Sequence, residues 1–143
     1  MFILDISMKS HSRHFKKTVL TYLILSVFTI VVNKVYAIFG HGVSSPAMTW
    51  MFLYPLMGGA LFYILIYGFA SKIIKFSGYR LFFNLHNSGI AVLTFGSFLK
   101  GVMDIAGADS PYLVYYSIVG SLFIAVGLIL MTIMFINQNR IEA

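Results

Sequence analysis

The stretch LHNSGIAVLTFGSFLKGVMD, residues 85–104, sets polar and ionisable side chains inside a run apolar enough to cross a bilayer. Ionisable groups in hydrocarbon are costly, and they mark ion or proton paths or pairings between helices. At about 100° per residue, His86, Leu93, Ser97, Lys100 and Asp104 share one helical stripe flanked by Gly89 and Gly96. Lys100 and Asp104 stand one turn apart, so an ion pair is geometrically natural, although cation before anion is the weaker order on an isolated helix. Asn84, Asn87 and Ser88 fall on the opposite side, followed by Ala91, Phe95 and Phe98. A helix polar on both sides at one end cannot face lipid all round, so this helix is expected at the centre of the bundle and most buried.

A second stripe runs through Thr18, Tyr22, Ser26, Thr29, Asn33 and Tyr36. Hydroxyls on a membrane helix bond back to their own carbonyls and need no functional reading. Asn33 has no such refuge and is expected to find a partner on the polar stripe of residues 85–104, at about 1 kcal/mol. The candidate polar path or interhelical site is therefore Asn33, His86, Ser97, Lys100 and Asp104, with Asp109 near its mouth.

Other chemistries are poorly provided for. Cysteine is absent, which removes disulfides, thiolate catalysis and iron–sulfur ligation. His41 and His86 belong to opposite ends of the spans, too far apart to ligate one iron. His11 and His14 could approach His86, yet three histidines without a carboxylate make a poor zinc or copper site. Of the four acids Asp5, Asp104, Asp109 and Glu142, only the middle two can share a site. No phosphate loop, HExxH, G-x-S-x-G or paired-carboxylate motif occurs. The expectation is a protein with no cofactor and no metal, and not an enzyme.

Four apolar blocks must position these residues, at 18–39, 48–70, 81–102 and 112–136, each near the roughly 20 residues that a spanning helix needs. The hydrophobic share is 59%, the charged share 10% and the mean hydropathy +0.90; soluble domains carry about 25% charged residues. The fold class expected is an all-α integral membrane protein, a compact antiparallel bundle of four transmembrane helices forming one domain over 1–143, with residues 1–17 a basic tail. The first block is too long for the apolar region of a signal peptide, and no clear cleavage site follows it, so it reads as a retained helix.

The formal charge of +6 follows topology and does not point to nucleic acid. Lys9, Arg13, Lys16, Lys17, Lys72, Lys75, Arg80 and Arg140 all fall on one side of a four-crossing chain, whereas the connectors GHGVSSP and AGADSP carry no Lys or Arg. The positive-inside rule then sets both termini in the cytoplasm. The tail KSHSRHFKK is expected to be drawn to anionic lipid headgroups, at about 1 kcal/mol per basic residue.

Ser45-Pro46 and Ser110-Pro111 read as helix starts, a serine cap before a proline. Their similar spacing from Lys34 and Lys100 raises two copies of one hairpin as an option. Pro55 with Gly58-Gly59 predicts a kink or a close backbone approach in the second span. Ser117, Ser121 and Ala125, with Gly120 and Gly127 beside them, form a small-residue ridge against which another helix can pack. The function expected is a small accessory or assembly subunit acting through helix contacts with a membrane protein partner or with its own copies. The alternative is an oligomeric transporter or channel whose path follows the third span.

Overall fold

The structure, a computed structural model, describes the backbone of residues 2–69 and 78–142 and the side chains of residues 14–68 and 78–137. It is all-helical, with no strand among the described residues. In chain order come α1 (Phe2–Phe39), α2 (Pro46–Trp50), a π-helical segment (Tyr54–Leu61), α3 (Phe62–Phe69), α4 (Tyr79–Ile105) and α5 (Leu113–Glu142). Four stretches are long and apolar enough to cross a membrane: His14–Phe39, Pro46–Gly68, Tyr79–Ile105 and Leu113–Asn137. The basic tail is not a separate element, because α1 runs unbroken through it. Its 38 residues extend about 57 Å, well beyond the roughly 30 Å of a hydrocarbon core.

The two Ser-Pro sequences behave differently. Ser45 caps α2 as its residue type predicts: its backbone is extended, its hydroxyl accepts from the Ala47 N–H at 3.2 Å, and Pro46 takes the first turn. At the second, α5 begins only at Leu113, after a tight turn closed by Leu113 N–H to the Ser110 carbonyl at 3.2 Å. The connectors differ too. In the first, His41 and Gly42 both take positive φ, 52° and 85°, whereas in the second Gly107 alone does, at 67°. The hairpins are thus not close copies of one another.

The second span breaks its α-helix at Pro55. Proline lacks the N–H an α-turn would use, and over YPLMGGAL the chain widens to π spacing before α3 resumes. The glycines are approached on two sides, by side chains and not by a second backbone. The Tyr22 ring of α1 lies where a Gly59 side chain would stand, and the Gly58 carbonyl is met by His86 of α4.

Packing orders the elements in a row. α1 lies on the π segment and α3; α2 and the π segment lie on α4; α4 in turn packs most extensively on α5. The α4–α5 seam is tight because glycines face each other: a methyl group on Gly89 would stand 2.9 Å from the Gly120 carbonyl, and one on Gly120 would stand 3.1 Å from the Gly89 carbonyl. The core comprises Tyr22, Ala60, Tyr63, Ile66, Phe82, Ile90 and Met134. The third span is central, but not the most buried as expected. The most apolar window of the second span is 33% buried against 28% for the third, because the second is wedged between α1 and α4. The outer two spans are 17% buried each.

Candidate functional site

The polar side chains gather at two levels of the bundle. At the level of the π segment the organising residue is Asn87. Its Oδ1 accepts one hydrogen bond from the Tyr22 hydroxyl and another from the Tyr63 hydroxyl, each at 2.6 Å, so one α4 side chain ties together α1, α3 and α4. That length lies at the short end of the range for hydroxyl donors, and an amide oxygen has two lone pairs to offer. Tyr63 is 2% exposed and Tyr22 8%, so neither phenol has ready access to water as a substitute.

One residue earlier, His86 faces the second span. Its ring stacks on Phe62 at 4.2 Å between centroids and meets Tyr63 edge-on at 5.8 Å and Phe82 at 5.6 Å. Nε2 lies 2.9 Å from the Gly58 carbonyl; a carbonyl only accepts, so Nε2 carries the proton and donates. The bare Nδ1 is buried without a partner. The imidazole thus pins the π segment to α4, while Gly127 of α5 packs against the His86 backbone.

The second level lies at the hairpin end. The Ser45 hydroxyl donates to Asp104 Oδ2 at 2.6 Å, fastening the first connector to the last turns of α4. Lys100 Nζ stands 3.8 Å from Asp104 Oδ1, so the ion pair occurs, but with both side chains substantially exposed and at a length worth little. Ser97 donates to the Ala47 carbonyl at 2.7 Å, joining α4 to α2. Asp109 is apart from this cluster, its carboxylate capping the Ser110 N–H at 2.8 Å. Ser97 and Lys100 share a cleft of about 420 Å³ with Trp50, Tyr54 and Ser117, and His86 does not line it.

The stripe read from periodicity is therefore split. Ser97, Lys100 and Asp104 come together, whereas His86 is enclosed by rings at the other level and Leu93 packs on Gly120. Asn33 is half-buried and makes no side-chain hydrogen bond among the described residues, so the pairing expected of it is not seen. Its role falls to Tyr22, three turns earlier on the same stripe. The back-bonding expected of hydroxyls is present at Ser26, to the Tyr22 carbonyl, and at Thr29, to the Ser26 carbonyl, both at 2.8 Å. His11 lies outside the described side chains, as does Asp5.

The ridge on α5 divides as well. Gly120 and Gly127 are buried against α4, whereas Ser117, Ser121 and Ala125 are exposed and line a shallow open groove with Ile118 and Leu122. Sequence reasoning missed Asn87 and its two tyrosines. A signal was available, since an asparagine in a span needs donors and Tyr63 offers one.

Fold and site define an all-helical chain with four helices of membrane-spanning length and apolarity, in which buried polar ties join the described elements. Comparison with protein-family models, with curated proteins and with solved structures finds no match.

Proposed function

We propose that this chain is a multi-pass protein of the cell membrane, both termini cytoplasmic, that serves as an accessory or assembly subunit with α5 as its docking helix. The observation that carries this reading is the position of α5. Among the described elements its backbone comes close only to α4, and the ridge beside that contact face, Ser117, Ser121 and Ala125 between Ile118 and Leu122, lies open. Small residues at four-residue spacing let a partner helix approach closely, which in lipid is a main source of association energy. The polar groups of the interior are largely engaged in ties between elements, as a scaffold requires. The asymmetry of basic residues supports the orientation.

The test is native mass spectrometry of the tagged protein, extracted at native expression in a mild detergent, beside the double variant Ser121→Leu/Ala125→Leu. A stoichiometric foreign subunit that is lost in the variant is the expected result. A monomer from native membranes, or a complex indifferent to the bulky ridge, refutes the reading.

A transport role is the second reading, and the cleft holding Ser97 and Lys100 favours it. It requires a homo-oligomer in the same experiment and a solute flux abolished by Lys100→Met.

A further inference from the structure

The opposite end of the bundle holds a recess that neither reading uses. α1 and α4 are bridged by tyrosine side chains and do not pack backbone to backbone, and their separation leaves two adjoining hollows. One, of about 300 Å³, is lined by His14, Phe15, Thr18, Tyr63, Tyr79, Arg80 and Phe83. The other, of about 370 Å³, descends between the helices from His14 and Lys17 past Tyr22 and Asn87 to Leu25, Ile90 and Ala91. They share His14, Thr18 and Phe83, and among the described residues neither lining contains an aspartate or glutamate.

Charge and depth together describe an amphiphile. The rim carries Lys17, Arg80 and His14, with Arg80 in the first turn of α4. Below the rim the walls become apolar. From His14 to Leu25 α1 rises about 16 Å, the depth of roughly half a hydrocarbon core. A basic pocket between spanning helices above an apolar crevice is the arrangement that takes a lipid phosphate.

We propose that this recess is a binding site for one anionic phospholipid, its phosphate held by Arg80 and Lys17 and an acyl chain lying in the α1–α4 crevice against Leu25, Ile90 and Ala91. The guanidinium suits a phosphate because its planar fork gives two parallel hydrogen bonds. Tyr22, Tyr63 and Asn87 close the inner wall, so the same hydrogen bonds that hold the helices also keep the crevice from collapsing. This site is independent of the α5 ridge.

The experiment is native mass spectrometry of the full chain, delipidated and re-equilibrated with equimolar phosphatidylglycerol and phosphatidylcholine. Wild type is expected to retain one phosphatidylglycerol in preference to phosphatidylcholine. Arg80→Gln and Lys17→Gln should each lower that preference about five-fold, the effect of one basic group near a lipid surface. Lys34→Gln and Lys100→Gln, away from the recess, should leave it unchanged. Ala91→Phe, which fills the crevice and keeps the charges, should reduce retention while circular dichroism stays that of a folded helical protein. Equal retention of both lipids, or a preference unmoved by Arg80→Gln and Lys17→Gln, overturns the site. Displacement of the lipid by millimolar glycerol phosphate as readily as by phosphatidylglycerol would assign the recess to a soluble anion and overturn it too.

Discussion

Replacing Asn87 with leucine keeps the branching at Cγ and the number of side-chain heavy atoms and removes the acceptor on which two buried phenols depend. Interhelical hydrogen bonds in membranes average about 0.6 kcal/mol and reach about 1.7. Two bonds at 2.6 Å, from tyrosines 8% and 2% exposed, therefore put the expected destabilisation at about 1–3 kcal/mol. Tyr22→Phe alone should cost only about 0.6 kcal/mol, because Asn87 keeps its bond from Tyr63. The assay is detergent-driven unfolding in mixed micelles, read by helicity and by the fluorescence of Trp50, the one tryptophan in the chain. A double-mutant cycle gives the decisive number. If Tyr22→Phe costs as much in the Asn87→Leu background as in wild type, the two side chains are uncoupled and the node described above does not hold the bundle. An Asn87→Leu protein as stable as wild type within about 0.3 kcal/mol would refute it equally, since coupled sites are recognised above that margin.

Further expectations concern the glycines and the hairpin end. Gly89→Ala should destabilise by about 1–3 kcal/mol, since its methyl would meet the Ile124 side chain at 2.6 Å and the Gly120 carbonyl at 2.9 Å. Gly127→Ala should be tolerated or gain up to about 1 kcal/mol of helix propensity, its nearest neighbour being the His86 amide nitrogen at 3.5 Å; the same unfolding assay compares them. Gly107→Ala is expected to cost about 1–2 kcal/mol for its positive φ alone, because no atom lies within 4 Å of the added methyl. Lys100→Met should change stability by less than about 0.5 kcal/mol, its ion pair being long and half exposed. Ser45→Ala, which removes both the α2 cap and the bond to Asp104, should cost about 1–2 kcal/mol, and a reversed order between these two would sink the assignment of Asp104 to Ser45.

Four apolar blocks were sufficient, from the sequence alone, to give an all-helical class with four helices of membrane-spanning length, because a long apolar run satisfies its own backbone groups most readily as a helix. Ser45-Pro46 announced a helix start because capping is a local interaction. Pro55 with Gly58 and Gly59 announced an irregularity, since both act on their own backbone. Periodicity also put Tyr22 and Asn33 on one stripe, and Ser97, Lys100 and Asp104 on another.

Which stripe meets which was decided only by the tertiary structure. The face of a helix is a property of its sequence, but the neighbour that covers it depends on how far helices rotate and how closely they approach. Gly89 against Gly120 draws α4 onto α5, and Gly59 admits the Tyr22 ring between α1 and the π segment. That approach brings Tyr22 to Asn87 rather than Asn33 to the polar stripe, and the π turn presents the Gly58 carbonyl to His86. Both pairings link residues far apart in the chain, and a long-range hydrogen bond leaves no periodic trace in either partner's sequence.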